Sequence, residues 1–466
     1  MVELEPAQPG PGDPAPDDPG VFEFPRLSDA ELEAAEPDRP LTIAQFTDNY
    51  GPAHSGLLYA VQFLESEVLA AGHRVLLVAP EADGPNPLAG DPHRREIRMP
   101  SVPIPGAGIR LSLGKDLEFR LAQLVAHPPD IIHVHGLGGV GLLGLWVAQR
   151  AQRPLVVTWH TDLEAYAEHY WHLGPFLYAA YQMFALRAEP KPWKKLAKTR
   201  FKRPRRGGAQ LQLMQAAADM LTTADVVTTP SEKTGKRVLE LAPGARVRVV
   251  PNGLDPLPLC RPIPRGKGPR LLYVGRVSPE KGLDLLLDAF ELVRDFEPDA
   301  ELMIVGDWRE AAPGLRRRLQ QAARGGGTRL IGRVPREELN AYYTGSDVFV
   351  FPSQTDTQAL VLHEAALSGL PPVNLVVDPG VNAIVGRPNL VSLSQSIMSM
   401  LRHLKDPAFA ARAAARSREL AGQWTIQRQA NEMMAIYNDL IAGRPVPVSE
   451  GLLPDLGRPR LGGRLH

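Results

Sequence analysis

The chain has 466 residues and no net charge, 52 Lys and Arg against 52 Asp and Glu, with 44% apolar residues and one cysteine, Cys260. That balance excludes the strongly basic surface of a dedicated nucleic-acid binder, and a lone cysteine excludes a disulfide framework or a cysteine-rich zinc site. At roughly 100–200 residues per domain, the length provides for two or three cores.

Residues 1–40 hold nine prolines and eleven acids against two arginines. With so little to bury they read as a disordered tail, and their acidity is unlike the basic-then-apolar pattern of a signal peptide. The longest apolar run, Leu137 to Ala148, is shorter than the roughly 20 residues of a spanning helix. A cytoplasmic protein is expected.

After the tail, strands and helices alternate. Leu41–Thr47 reads as a strand, followed by a loop Asp48–Ser55, a helix from about Leu57 to Ala71 and a strand Arg74–Pro80. The beat returns in Asp130–His135, Pro154–His160, Ala224–Thr229 and Val247–Pro251. Between the second and third of these strands lies a basic segment, 187–206, with ten Lys and Arg against one acid, Glu189, and with Trp193 and Phe201 interleaved. A proline-rich break, Pro256 to Pro269, resembles an interdomain linker. The beat restarts in Arg270–Gly275, Glu301–Gly306, Arg329–Ile331, Val348–Pro352 and Pro372–Val377, and a Gly/Pro-rich stretch, 443–466, reads as a flexible tail. Apolar β-branched strands separated by amphipathic helices imply parallel sheets buried on both faces, so the class is α/β with two doubly wound, Rossmann-like domains facing across a cleft. Ligands of such sheets sit at the carboxyl ends of the strands.

Three motifs follow strands. Gly136, Gly138 and Gly141 match the G-x-G-x-x-G of dinucleotide-binding proteins, with Asp162 as the acid. That fingerprint belongs after the first strand of a sheet and here follows an internal one, so tight helix packing is the better account. Nearby His133 and His135 alternate onto one strand face; lacking a third clustered ligand, they read as a polar strand end instead of a metal pair. The second motif places Gly275 at a strand end, then Arg276 and, five residues on, Lys281, two cations able to converge on a diphosphate. Two solvated cations in a connection are the plain alternative. In the third, Asp356 leaves a strand and can cap the helix that follows, whose first N–H groups favour an anion. Capping leaves Glu364, polar among apolar neighbours two turns on, without a role.

Together these residues resemble the retaining family-4 glycosyltransferases of GT-B fold, in which two acids with seven residues between them open the helix beside the nucleotide-sugar; here they are Asp356 and Glu364. The resemblance runs from Leu41 to about Leu440. It includes Phe46 to Tyr50 with Gly56, His160 with Thr161, Val250 to Gly253, Gly275-Arg276 with Lys281, Val305 to Asp307, Gly332 to Val334, Ser368-Gly369, and Trp424 where the final crossover helix begins. It implies an N-terminal acceptor domain (41–262), a C-terminal nucleotide-sugar domain (263–421) and a crossover helix (422–442). It also implies roles. Arg276 and Lys281 would clamp the donor diphosphate, Glu364 would hold the ribose hydroxyls, and Asp356 would contact the transferred sugar. The main chain at Arg333 and Val334 would edge the base, with Leu360 and Val361 opening the donor helix. His160 would face the donor sugar, and Gly56, in the first loop, would let backbone approach the phosphate alongside Gly275. No metal and no cofactor are implied; the nucleotide-diphosphate sugar is a co-substrate. Two departures stand out: Ala359 replaces the usual glycine before Leu360, where its methyl would crowd the phosphate, and the loop at 386–389 is short.

Thr355 to Gln358, Trp159 to Thr161, Tyr166, His169 and Tyr170 most resemble the branch that glycosylates diacylglycerol-type lipids. With the basic segment this implies a lipid or lipid-linked acceptor and an anionic membrane surface, hence a peripheral position on the membrane's inner face. An ordinary solvated loop explains the basic run equally well. A small soluble or natural-product acceptor, a silent donor-binding regulator and a nucleotide-sugar epimerase remain as alternatives.

Overall fold

A computed structural model describes residues 39–50, 56–81, 88–104, 109–112, 124, 128–136, 138–160, 214, 217–353, 356–374 and 384–449. The acidic tail up to residue 38, the basic segment 187–206 and the residues Thr161, Tyr166, His169 and Tyr170 lie outside these.

The first half carries β1 (Thr42–Phe46), α1 (Gly56–Ala70), β2 (Arg74–Pro80), β3 (Arg94–Met99) and a hairpin of β4 (Ser101–Ile104) and β5 (Ile109–Ser112). It continues with β6 (Ile131–Val134), α2 (Gly139–Ala151), β7 (Leu155–Thr158), β8 (Val226–Thr229), α3 (Glu232–Leu241) and β9 (Val247–Val249). Seven of the strands form one parallel sheet in the order β3-β2-β1-β6-β7-β8-β9. Central strands such as β6 and β7 are buried at every position, as their largely apolar runs require. The edge strand β3 escaped the sequence reading because its residues, Arg-Arg-Glu-Ile-Arg-Met, are mostly charged. Such charge is what keeps an exposed sheet edge from pairing with another chain.

The second half carries β10 (Arg270–Val274), α4 (Leu283–Phe296), β11 (Glu301–Val305), α5 (Pro313–Arg324), β12 (Thr328–Gly332) and α6 (Leu339–Thr344). Then come β13 (Val348–Phe351), α7 (Leu360–Leu367), β14 (Pro372–Asn374), β15 (Ile384–Val385), α8 (Leu390–His403) and α9 (Pro407–Ala421). The six strands form a second parallel sheet, β12-β11-β10-β13-β14-β15, whose core gathers Leu272, Tyr273, Phe290, Ile304, Phe349 and Ile397. Gly386 to Asn389 is a capping turn: the Asn389 side chain accepts from Ser392 N at 2.9 Å and opens α8. The short loop thus has a local function.

The last helix, α10 (Ile426–Ile441), returns to the first half, where Met433, Ile436 and Tyr437 join a core with Leu41, Ile43 and Leu64. The two chain crossings lie side by side. Leu254 N donates to the Trp424 carbonyl at 2.8 Å, and Gly253 N donates to Gln429 Oε1 at 2.8 Å. A Cβ on Gly253 would stand 2.1 Å from the Thr425 carbonyl oxygen, so only glycine lets the crossings meet. Beyond α10 the described chain runs on to Ser449 and touches the first sheet at two points. Val446 is buried, and Ser449 N bonds the Val247 carbonyl at 3.0 Å along the open edge of β9.

Candidate active site

The carboxyl end of β10 begins the donor side. The Tyr273 hydroxyl donates to the Arg276 carbonyl at 2.7 Å and fixes the turn that follows the strand. Arg276 pairs with Glu280, which also accepts from the Ser278 hydroxyl at 2.5 Å. Burial alone would raise the Glu280 pKa; Arg276 and the Ser278 hydroxyl hold it below the usual carboxylate value. Lys281 ends a single 3-10 turn, Pro279–Lys281, and its Nζ donates to Asp356 Oδ1 at 2.7 Å, both side chains being mostly buried. Asp356 Oδ2 is buried with no hydrogen-bond partner. The expected cap is therefore corrected: α7 starts at Leu360, its N-cap residue is Ala359 with no side-chain cap bond, and the Asp356 carboxylate faces Lys281.

Gly56 opens α1 instead of lying in the preceding loop, and a Cβ there would be 3.8 Å from Leu360 Cδ1. The N-termini of α1 and α7 thus face each other across the cleft, and both present the positive dipole end that favours an anion. Ala359 is buried in the C-terminal core at φ −83° and ψ 96°, a conformation in which its methyl causes no strain.

Glu364 lies one turn further along α7, beside Val361. Its Oε2 accepts from the Tyr343 hydroxyl at 2.9 Å, and its Oε1 lies 3.2 Å from Arg336 Nε. Burial raises the Glu364 pKa, and Arg336 and Tyr343 offset part of that rise. Arg333, half exposed, lies 3.7 Å from Asp307, while Val334 packs against the C-terminal core. The structure therefore brings Lys281 and Asp356 together and leaves Arg276 with Glu280, one turn away.

In the first domain, His160 follows β7 and its Nε2 lies 3.2 Å from His135 Nδ1. The His160 carbonyl accepts from the Thr357 hydroxyl at 2.9 Å. In turn the Thr357 carbonyl accepts from the Ser231 hydroxyl at 2.7 Å, and the Gln358 amide exchanges bonds of 2.7 and 3.2 Å with the Asn252 backbone. The segment after Asp356 is thereby docked on the strand ends of the first sheet. Sequence reading missed Ser231, Thr357 and Gln358 as domain bridges; Ser231, the N-cap of α3, showed only a capping signal.

Burial pushes the His133 and His160 pKa values down to about 3, and His135 well below its ordinary value. His133 bonds the Tyr437 hydroxyl at 2.7 Å and the Thr158 hydroxyl at 2.6 Å, which occupies both ring nitrogens with structural partners. Among the described residues no group of three or more His, Cys, Asp or Glu could hold a metal ion. The dinucleotide fingerprint is spoken for as well. Asp48 accepts from the N–H groups of Gly138 and Val140, both at 2.8 Å, so a carboxylate of the chain itself occupies the place of a pyrophosphate. A Cβ on Gly138 would stand 2.5 Å from Asp48 Oδ1, and one on Gly141 would be 1.9 Å from the Gly136 carbonyl oxygen. The glycines serve packing.

Comparison with known proteins matches both halves. Residues 60–256 match the description Glycosyltransferase Family 4, and residues 268–405 match Glycosyl transferases group 1. An alpha-monoglucosyldiacylglycerol synthase of Streptococcus pneumoniae is 25% identical over 349 residues, covering 71% of this chain and 70% of the relative. A GDP-mannose-dependent alpha-mannosyltransferase of Corynebacterium glutamicum is 24% identical over 413 residues, covering 87% of this chain and 90% of the relative. The sucrose-phosphate synthase of Thermosynechococcus elongatus shares the fold, with a TM-score of 0.63 at 21% identity, over 86% of this chain and all of that one. No described helix is long and apolar enough to cross a membrane. By its two facing parallel sheets, its paired motifs and these matches, the chain belongs to the family-4 glycosyltransferases of GT-B fold and stands close to the branch that glycosylates lipids.

Proposed function

We propose that this glycosyltransferase moves a sugar from a nucleotide-diphosphate sugar to a membrane lipid or lipid-linked glycan, with retention of anomeric configuration and without a metal. The observation that carries the reading is the Lys281–Asp356 pair, set beside two facing helix N-termini. A diphosphate there would draw Lys281 and Arg276 from their carboxylates, and both would stabilise the charge that builds on the leaving group. Asp356, freed from Lys281, would accept hydroxyls of the transferred sugar, with His160 facing it from the other domain. Glu364 would accept from the ribose hydroxyls, and the main chain at Arg333 and Val334 would edge the base. In the transfer the bond between the anomeric carbon and the β-phosphate oxygen breaks with its electron pair on the phosphate. The acceptor hydroxyl bonds to the same face of the carbon and passes its proton to the departing oxygen.

The lipid acceptor is supported by the diacylglycerol glucosyltransferase among the relatives. The basic segment 187–206 would supply the membrane contact, since each Lys or Arg held near an anionic surface gains about 1 kcal/mol. The test supplies UDP-glucose or GDP-mannose with diacylglycerol vesicles or with a soluble sugar acceptor, in EDTA, and reads the product linkage by NMR. An α-linked glycolipid formed in EDTA supports the proposal. Transfer to the soluble acceptor alone removes the lipid, inversion removes the retaining mechanism, and loss of activity in EDTA removes metal independence. Anionic vesicles should also sediment the protein at low salt and release it near 1 M, where screening shortens to about 3 Å; no sedimentation removes the membrane contact.

A further inference from the structure

Arg336 joins the two domains at the donor site. Its guanidinium carbon lies 5.6 Å from the Tyr59 ring centroid and 5.2 Å from that of Phe63, and the two rings stack on each other along α1 of the first domain. On its other side Nε reaches to 3.2 Å from Glu364 Oε1 in the second domain. Both Nε and Nη2 are buried and make no directed hydrogen bond. A buried guanidinium donor left unpaired is costly, and its place beside a carboxylate calls for a ligand that both donates and accepts. A vicinal diol does both: each hydroxyl gives its proton to the carboxylate while its oxygen accepts an N–H.

We propose that Arg336 is a second ligand of the nucleotide ribose, seated by Tyr59 and Phe63 of the opposite domain, so that nucleotide binding senses closure of the cleft. This rests on the reading of Glu364 as the ribose acceptor. The face of a ring attracts a cation, most strongly where water is excluded. The aromatic pair can therefore fix the guanidinium only when the first domain is in place. Arg336 itself opens a single 3-10 turn, Arg336–Glu338, that leads into α6.

Titrations of UDP and GDP, each beside its 2′-deoxy counterpart, test the proposal. The wild type should prefer the ribonucleotide by about tenfold or more, the scale of one hydrogen bond to a charged group. Arg336→Gln should lose most of that preference, Arg336→Lys should restore part of it, and the 2′-deoxynucleotide should bind all of them about equally. Phe63→Leu, which touches no part of the nucleotide, should weaken the ribonucleotide alone; Tyr59→Leu repeats the test should the first variant fold poorly. Full preference in Arg336→Gln, with preference lost in Glu364→Gln, overturns the role of Arg336 and leaves the reading of Glu364 standing. An unaltered Glu364→Gln, or no binding of either nucleotide by the wild type, overturns both.

Discussion

The facing ends of the two sheets carry opposite chemistry. At the end of β6 and β7 stand His133, His135 and His160, all held neutral by burial. At the end of β10 and β13 and on α7 stand ion pairs: Arg276 with Glu280, Lys281 with Asp356, and Arg336 with Glu364. A half that grips a diphosphate needs cations, and inside a fold cations need acids to hold them until the anion arrives. The neutral half offers hydrogen bonds without fixed charge, which suits the hydroxyls of an acceptor.

Acid is the strongest way to break this contrast. Free histidine titrates near 6.5, whereas His133 and His160 titrate at about 3 and His363 at about 4, with His135 well below its ordinary value. Below pH 6.5 the unfolded chain therefore binds protons that the folded chain refuses, and stability falls as pH falls. Each such histidine contributes about 1.4 kcal/mol per pH unit. Urea unfolding between pH 7.5 and 5.5 should show this loss, offset in part by Asp48, Glu65 and Glu364, whose pKa values burial raises and which act with the opposite sign. A flat profile would mean that the histidines are protonated in the fold.

A smaller effect sharpens the account of the first domain. Asp48→Ala removes the acceptor at the start of α2 and should cost about 1–2 kcal/mol in denaturant unfolding, with Asn in its place restoring most of it. If Asp48→Ala instead bound NAD, the glycine fingerprint would regain its usual meaning. Smaller still is Thr357→Val, which removes one hydroxyl bond to the His160 carbonyl, about 0.5–1.5 kcal/mol. It should lower turnover more than the melting temperature, because it loosens one domain on the other; a change in melting alone would make Thr357 a packing residue.

Much of the fold was legible because β1, β6, β7, β10, β11 and β13 are largely buried on both faces and so write mostly apolar runs. The charged edge β3 and the two-residue β15 write none. In the site, Gly275 and Arg276 follow β10 as the spacing implied, while Glu364 lies one turn into α7 because that helix starts at Leu360 and not at Asp356. The true partner of Asp356 was hidden, because Lys281 lies 75 residues earlier and only the sheet order brings them together. The bridges from Ser231 to Thr357 and from Arg336 to Tyr59 and Phe63 were hidden for the same reason. They depend on how one domain seats on the other, which no local pattern encodes.

The most direct test of the charged donor half is turnover and melting temperature measured together for Lys281→Ala and Asp356→Asn. Lys281→Ala should lose about 2–4 kcal/mol of transition-state stabilisation, the scale of removing one such charge or donor. Asp356→Asn should lose turnover and also some melting temperature, not because a helix loses a cap but because the mostly buried Lys281 loses its carboxylate. A fully active Lys281→Ala, or an Asp356→Asn that melts early but turns over normally, would contradict the account.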